Sequence, residues 1–305
     1  DLHERLARVL AQTKPDLVFA CYGMNDGIYL PFDENRFQPF KTGIDWLHNE
    51  VVKTGAAIIH VTPPDYDELK GGKTGYATVL DRYADWRARF NLRDDGHAAE
   101  RFVAGALAAL RPEDGIVGEE GAAKASQSGR TWVIDPVDGT YNFLSGLGTW
   151  CSALALRDGE GLVLGAVHQP AVDESWIGGR GLPTRLNGTA VGELADLPLA
   201  EVAMATYLHP AVLPDDSLRE PWLAALSGAA TVRMFGSGSC DLAAVAAGRL
   251  GVWAQQSVPE WDWLPGAALV TAAGGRADQV EARGHVWSVA GRPTAVGQVV
   301  AALQS

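Results

Sequence analysis

Two hydrophobic rhythms alternate over the first ninety residues. "LHERLARVLAQ" spaces Leu and Val at helical intervals, whereas "DLVFACYGMND" is an unbroken apolar run closing on polar residues, as a buried strand does. "RFQPFKTGIDWLHNEVVKTG" predicts an amphipathic helix with Gly55 as its C-cap, and "AAIIHVTPP" a second strand stopped by Pro63 and Pro64. "YATVLDRYADWRARF" carries Val79, Leu80, Tyr83 and Trp86 on one helical stripe. Strands this apolar, set between helices, predict a parallel sheet covered on both faces. After a break at "NLRDDG", the segment "HAAERFVAGALAALRPEDG" again has helical spacing, through Phe102, Val103, Ala106, Leu107 and Leu110.

Beyond residue 115 the texture shifts to strands and Gly-rich turns. "TWVID", "WCSALALRDGEGLVLGAVHQP" and "SWIGGRG" read as strands, and "SCDLAAVAAGRL" and "DWLPGAALVTAAGG" as helices. No internal repeat appears, and the change of texture puts a domain boundary near residues 90–97. A chain of 305 residues is long enough for one large domain or two ordinary ones.

A formal net charge of −12 excludes nucleic acid and anionic membrane surfaces as main partners, and fits the binding of cations or of anions through cations. Cys21, Cys151 and Cys240 are scattered and odd in number, which predicts reduced thiols and a cytoplasmic setting. No apolar run approaches the roughly 20 residues of a membrane helix, and no signal-peptide pattern opens the sequence.

The chemistry concentrates in "WVIDPVDGTYNF", where an apolar strand runs into a turn holding Asp135 and Asp138 with no Lys or Arg between them. Taken alone, the pair fits a helix cap or a solvated Asp-Gly turn as well as a hard-cation site. Glu119 and Glu120 in "GIVGEEG" and Asp262 in "EWDWLPGAALV" add carboxylates at the ends of other elements. A few carboxylates and a substrate phosphate can complete the octahedral oxygen shell of Mg²⁺. Gly139 and Thr140, opening a helix, would turn amide N–H groups toward an anion.

"GEE", "WVIDPVDGTYNF" and "WDWLPGAALVTAAGG" together resemble the inositol monophosphatase family of Mg²⁺-dependent, lithium-sensitive phosphatases, over roughly residues 97–305. The resemblance implies an αβαβα sandwich and two or three Mg²⁺ ions. It implies metal ligation by Glu119, Asp135, Asp138, Asp262 and the Val137 carbonyl. Thr140, aided by Glu119, is implied to orient and activate the nucleophilic water. The Gly139 and Thr140 amides are implied to receive phosphate, and Ser237 and Gly238 in "FGSGSCDLAAVAAGRL" to contact substrate. Two departures stand out. The family often has a substrate-binding Glu seven residues before the late metal Asp, where this chain has Gln255. In "LRDDGHAAE", Gly96 takes the place of an Asp that supports an extra metal, and the helix preceding that stretch in the family has no counterpart.

"KPDLVFACYGMNDGIYLPFDENRF" with "GAAIIHVTPPDYDEL" resembles the SGNH (GDSL-like) hydrolases, esterases on a flavodoxin-like sheet. Gly23 and Asn25 match that family's G-x-N-D block, part of an oxyanion hole. No Gly-Asp-Ser nucleophile block accompanies them, and residues 1–90 contain no Ser at all. Asp94 and His97 share the spacing of that family's acid and base, but His97 reads as a solvated helix residue.

The expectation is therefore an α/β (α+β layered) chain, with a partial flavodoxin-like, SGNH-hydrolase-like segment at 1–90. An inositol-monophosphatase-like domain, shortened on its N-terminal side, follows at 91–305. The function expected is Mg²⁺-dependent hydrolysis of a small phosphate ester, a polyol or sugar-like phosphate with inositol monophosphate first. Histidinol phosphate and fructose bisphosphate are the alternatives within the family, and a homodimer is its common assembly. Two readings from other classes stay open: a non-catalytic chimeric or scaffold protein, and a residual SGNH-type esterase.

Overall fold

The computed structural model describes residues 2–15, 17–21, 31–61 and 96–305. The chain divides into two compact units, Asp1–Ala99 and Glu100–Ser305. The stripe at Val79, Leu80, Tyr83 and Trp86 lies outside the described residues, as do Gly23, Asn25 and Asp94.

In the first unit, α1 (Leu2–Thr13), β1 (Leu17–Cys21), α2 (Glu34–Val52) and β2 (Ala57–Val61) follow one another. The two strands pair in parallel, Leu17 beside Ala57 through Cys21 beside Val61. Leu6 and Leu10 of α1 and Leu47 and Val51 of α2 bury their side chains with Ala20 and Ile58. Asp33 caps α2 by accepting from the Asn35 amide. The helix ends earlier than the glycine signal predicts. Lys53 is its C-cap with φ −56°, and the left-handed Gly55, φ 84°, follows two residues later in a closing turn.

Residues 96–110 are helical (α3), Gly96 included. His97 on this helix is half-buried. The face α3 turns inward takes only part of its apolar stripe: Val103 and Leu107 are half-buried and Glu100 is 3 % exposed, whereas Phe102 is 79 % and Leu110 74 % exposed. Glu100 is drawn in by two amide donors, Glu120 N at 2.8 Å and Ala122 N at 2.6 Å, which tie down the loop after β3 (Gly115–Gly118).

Two mixed sheets organise the rest. The larger contains β3, β4 (Ala123–Lys124), β5 (Thr131–Asp138), β6 (Cys151–Asp158), β7 (Gly161–Gln169), β8 (Glu174–Gly179), β9 (Leu182–Leu186) and β10 (Thr189–Ala190). Its order is β10-β9-β8-β7-β6-β5-β3-β4, antiparallel throughout except where β3 runs parallel to β5. The smaller contains β11 (Ala203–Tyr207), β12 (Thr231–Arg233), β13 (Val252–Gln256), β14 (Arg276–Ala282) and β15 (His285–Gly291), ordered β12-β11-β13-β15-β14.

Helices α6 (Gly238–Ala246) and α7 (Glu260–Ala272) lie between the sheets. Leu242, Val245, Leu269 and Val270 pack there with Cys151, Val167 and Trp176 of one sheet and Ala205, Trp253 and Ala290 of the other. On the far face of the smaller sheet, α5 (Asp216–Ser227) and α8 (Pro293–Leu303) cover Met204, Val252, Trp287 and Val289. The result is a layered α/β sandwich. Helices α5 and α8 are not among the elements read from the sequence pattern. No described helix is long and apolar enough to cross a membrane.

Candidate active site

The strand carrying the two aspartates runs further than its pattern suggests. β5 continues through Pro136 and Val137 to Asp138, so the acids sit in the strand, not in a turn beyond it. Pro136 has no N–H to give the ladder, and the pairing with β6 shifts register between Asp135 and Asp138. Local bonds compensate for the bulge. The Val137 amide donates to Asp135 Oδ1 at 3.0 Å, and Ser152 Oγ donates to the Pro136 carbonyl at 2.7 Å. Both carboxylates are thereby buried.

Gly139 then turns the chain at φ 87°, and a Cβ there would meet the Thr149 carbonyl at 2.9 Å and Ser237 Cβ at 3.0 Å. This is a position that requires glycine. It opens the short helix α4 (Thr140–Leu144), with Thr140 Oγ1 donating to the Val137 carbonyl at 3.1 Å. Asn142 Nδ2 reaches the carbonyls of Thr149 at 2.7 Å and Phe235 at 2.6 Å, fastening α4 to the segment before α6. Ser237 caps α6, accepting from the Cys240 amide at 3.3 Å, and the Ser239 amide donates to Asp138 Oδ2.

Asp262 lies in the first turn of α7. Glu119 follows β3, its amide donating to the Ile134 carbonyl of β5 at 3.1 Å. Gln255 stands on β13 beside Tyr207 of β11. All ten residues expected at the site line one cavity of about 420 Å³: Glu119, Asp135, Val137, Asp138, Gly139, Thr140, Ser237, Gly238, Gln255 and Asp262. Asp135, Asp138 and Asp262 each offer a carboxylate oxygen within 4.8 Å of the others. The cavity wall also includes Tyr141, Tyr207, Met234, Phe235 and Asp241, which the motifs do not single out. Asp241 is 3 % exposed, and its place in the first turn of α6 makes it look like an ordinary helix-start acid in the sequence.

The electrostatics follow from packing acids without counterions. Burial, then the charges of Asp138, Glu119 and Asp262, push Asp135 well above the usual carboxylate range. Asp262 is pushed up to about 7 by burial and by the charges of Asp138 and Glu119. Burial also raises Asp138, against the lowering effect of donors from Ser239, Ser237 and Gly238. Glu119 keeps much of its side chain open, yet its carboxyl faces the others and is raised by lost hydration and by Glu120, Asp138 and Glu100. Asp241 is raised well above its ordinary value by burial and by Asp138. Asp135 Oδ2 is buried and has no hydrogen-bond partner. An all-oxygen donor set, with an unsatisfied buried oxygen and crowded like charges, fits a hard divalent cation.

The sequence pattern of the inositol monophosphatase family matches residues 95–304. The chain belongs to that family. An inositol-1-monophosphatase of Rhizobium meliloti is 33% identical over 211 residues, covering 66% of this chain and 74% of that protein. A histidinol-phosphatase of Mycobacterium tuberculosis is 31% identical over 195 residues, covering 61% and 72%. Among solved structures, the extragenic suppressor protein suhB from Bartonella henselae superposes with a TM-score of 0.63 at 25% identity, covering 69% of this chain and 83% of that one. The Thermotoga maritima IMPase gives 0.60 at 25% identity, covering 68% and 81%. As a member of the inositol monophosphatase family, the chain is a metal-dependent phosphomonoesterase.

Proposed function

We propose that this inositol monophosphatase family member hydrolyses an uncharged polyol or sugar-like phosphate, inositol monophosphate first, with Mg²⁺ held by Glu119, Asp135, Asp138, Asp262 and the Val137 carbonyl. The observation that carries the reading is the Asp135–Asp138–Asp262 cluster, oxygens within 4.8 Å, with Asp135 Oδ2 buried and unpartnered. Two or three bound ions would neutralise the carboxylates and the phosphate and stabilise charge on the attacking and leaving oxygens.

The chain's own groups supply positioning and proton transfer. The Gly139 and Thr140 amides, at the start of α4, donate to phosphate oxygens. Thr140 Oγ1, steered by its bond to the Val137 carbonyl, orients the attacking water, and the Glu119 carboxylate takes the water's proton. Ser237 and Gly238, which line the same cavity, contact the substrate. The phosphatase chemistry is confined to the part after residue 90. Gly23 and Asn25, as an SGNH-like pair of donors, would have no Ser within residues 1–90 to serve.

The direct test is phosphate release, with Mg²⁺, from inositol 1-phosphate, histidinol phosphate and fructose 1,6-bisphosphate. Release from inositol 1-phosphate is expected, and release from none of the three would overturn the reading. Gln255 should govern selectivity, since a neutral amide bonds hydroxyls without attracting an ammonium group. Gln255→Glu is expected to shift KM in favour of histidinol phosphate while kcat stays within about tenfold, because remote contacts act mainly as uniform binding. Identical KM ratios in both forms would show that this side chain does not meet the substrate.

A further inference from the structure

Two buried carboxylates grip the two ends of β3. Asp114, just before the strand, accepts from Ser128 Oγ at 2.7 Å, Arg130 Nε at 3.0 Å and Trp132 Nε1 at 3.0 Å. Glu100 holds the far end through main-chain donors. After Gly118 the chain closes a tight loop, the Gly118 amide donating to the Ala122 carbonyl at 2.8 Å and the Gly121 amide to the Gly118 carbonyl at 3.3 Å. The amides of Glu120 and Ala122 both turn toward Glu100, one to each carboxylate oxygen. Such a pair of N–H groups is an anion cradle, here filled by the chain's own carboxylate. Glu119 lies inside this span, and its own amide is bonded to the Ile134 carbonyl, next to Asp135 on β5. The backbone of Glu119 is thus fixed on one flank by β5 and on the other by Glu100. Gly118 leaves room for the second hold, since a Cβ there would run into the Glu100 carboxylate.

Resting on the phosphatase reading above, in which Glu119 serves the metal and the attacking water, we propose that Glu100 is a positioning residue for Glu119. Glu100 is not part of the cavity wall, so it acts through the loop and not on the substrate. One carboxylate spanning two amides stops residues 120–122 from pivoting without breaking a charge-assisted bond. A pivot would swing Glu119 away from Asp135 and Asp138. At 3 % exposure the Glu100 carboxylate cannot exchange those amides for water, so the loop is held in one geometry. Outer groups that orient a metal-binding side chain change metal affinity or turnover by about 10- to 100-fold when lost. Ser237, Gly238 and Gln255 stand on other elements, so substrate affinity does not follow the loop.

The test uses the full chain and two measurements: phosphate release from inositol 1-phosphate against Mg²⁺ concentration, and amide hydrogen exchange at residues 118–122 in the metal-free protein. Glu100→Gln keeps the size but offers one acceptor, with its NH₂ group facing the second amide. It is expected to raise the Mg²⁺ concentration for half-maximal activity by at least about tenfold. Exchange of the Glu120 or Ala122 amide should quicken by at least about tenfold. KM for the ester at saturating Mg²⁺ should stay within about threefold. Gly118→Ala keeps Glu100 but pushes its carboxylate off the amides, and should give the same changes. Asp114→Asn is the control for a merely structural role, because it weakens the other buried carboxylate at the opposite end of β3. It should lower the melting temperature, leave Mg²⁺ half-saturation within about twofold, and leave exchange at 118–122 unchanged. Unchanged Mg²⁺ half-saturation in either Glu100→Gln or Gly118→Ala, or an equal rise in Asp114→Asn, overturns the proposal and leaves the phosphatase reading standing. A parent enzyme that releases no phosphate overturns both.

Discussion

Phosphate release is expected to stop in chelator, and to fall by more than about a hundredfold in Asp135→Asn, while the metal-free variant melts at a higher temperature than the metal-free parent. The two effects have one cause. Asp135 Oδ1 is held by the Val137 amide, and Oδ2 is buried without a partner, so the side chain serves a cation it cannot replace with a protein donor. Asn keeps the shape but removes the charge that holds the metals and, through them, the transition state. Without metal, three carboxylates within 4.8 Å repel one another, and Asn relieves that repulsion. The pH dependence has a defined sign. Asp262 rises from 3.8 to about 7 on folding, so its contribution is fully present below about pH 4 and is lost as pH climbs toward 7. The metal-free melting temperature should therefore decline across that window, less steeply in Asp135→Asn, and Mg²⁺ should restore it near neutral pH. Thermal unfolding from pH 4 to 8, with chelator and with Mg²⁺, measures this. Undiminished activity in chelator, or an Asp135→Asn enzyme within tenfold of the parent, would sink the metal assignment.

The chemical ends of the site are readable in the sequence because they are short, rigid and local. Asp135, Asp138, Gly139 and Thr140 lie within six residues, and one bulge places them all. Glu119 and Asp262 are legible through element ends, since a carboxylate after an apolar strand or in a helix's first turn has few places to point. The wall opposite is less legible. Met234 and Phe235 follow an ordinary short strand, β12, and are held at the cavity by long-range bonds, from Asn142 and Thr149 to the Phe235 carbonyl, that span 93 and 86 residues of sequence. Their exposure reverses the usual inward reading of apolar residues, and no local spacing announces it. The stripe on α3 is half right: Val103 and Leu107 are half-buried on the face of Glu100, which two amide donors hold in, while Phe102 and Leu110 are exposed. Gly55 shows that a glycine after a helix fixes the vicinity of its end without fixing the capping residue.

Gly165→Ala is expected to be among the most damaging single-methyl additions in the second unit, and to act on the site from behind. Across the large sheet, Ala155 of β6, Gly165 of β7 and Gly178 of β8 stand side by side and are buried. A Cβ on Gly165 would run into the Pro265 carbonyl and come within 2.9 Å of Ala268 Cβ; one on Gly178 would come within 3.2 Å of Ala272 Cβ. Pro265, Ala268 and Ala272 belong to α7, so this lane of small residues is what lets the helix lie close against the strands. The contact is with helix backbone, which cannot swing aside like a flexible side chain. Overpacking of this kind costs about 2–3 kcal/mol or more, or about 5–10 °C in melting temperature for a unit of this size. Because α7 carries Asp262 three residues before Pro265, any outward shift of the helix also moves a carboxylate away from Asp135 and Asp138. The folded fraction of Gly165→Ala should therefore need more Mg²⁺ for half-maximal activity than the parent. Gly159→Ala is the control: that residue is exposed in the β6–β7 turn, with nothing within 4 Å of an added Cβ, and should melt within about 1 °C of the parent. A Gly165→Ala protein as stable as Gly159→Ala, with unchanged Mg²⁺ dependence, would mean that α7 does not depend on this close approach.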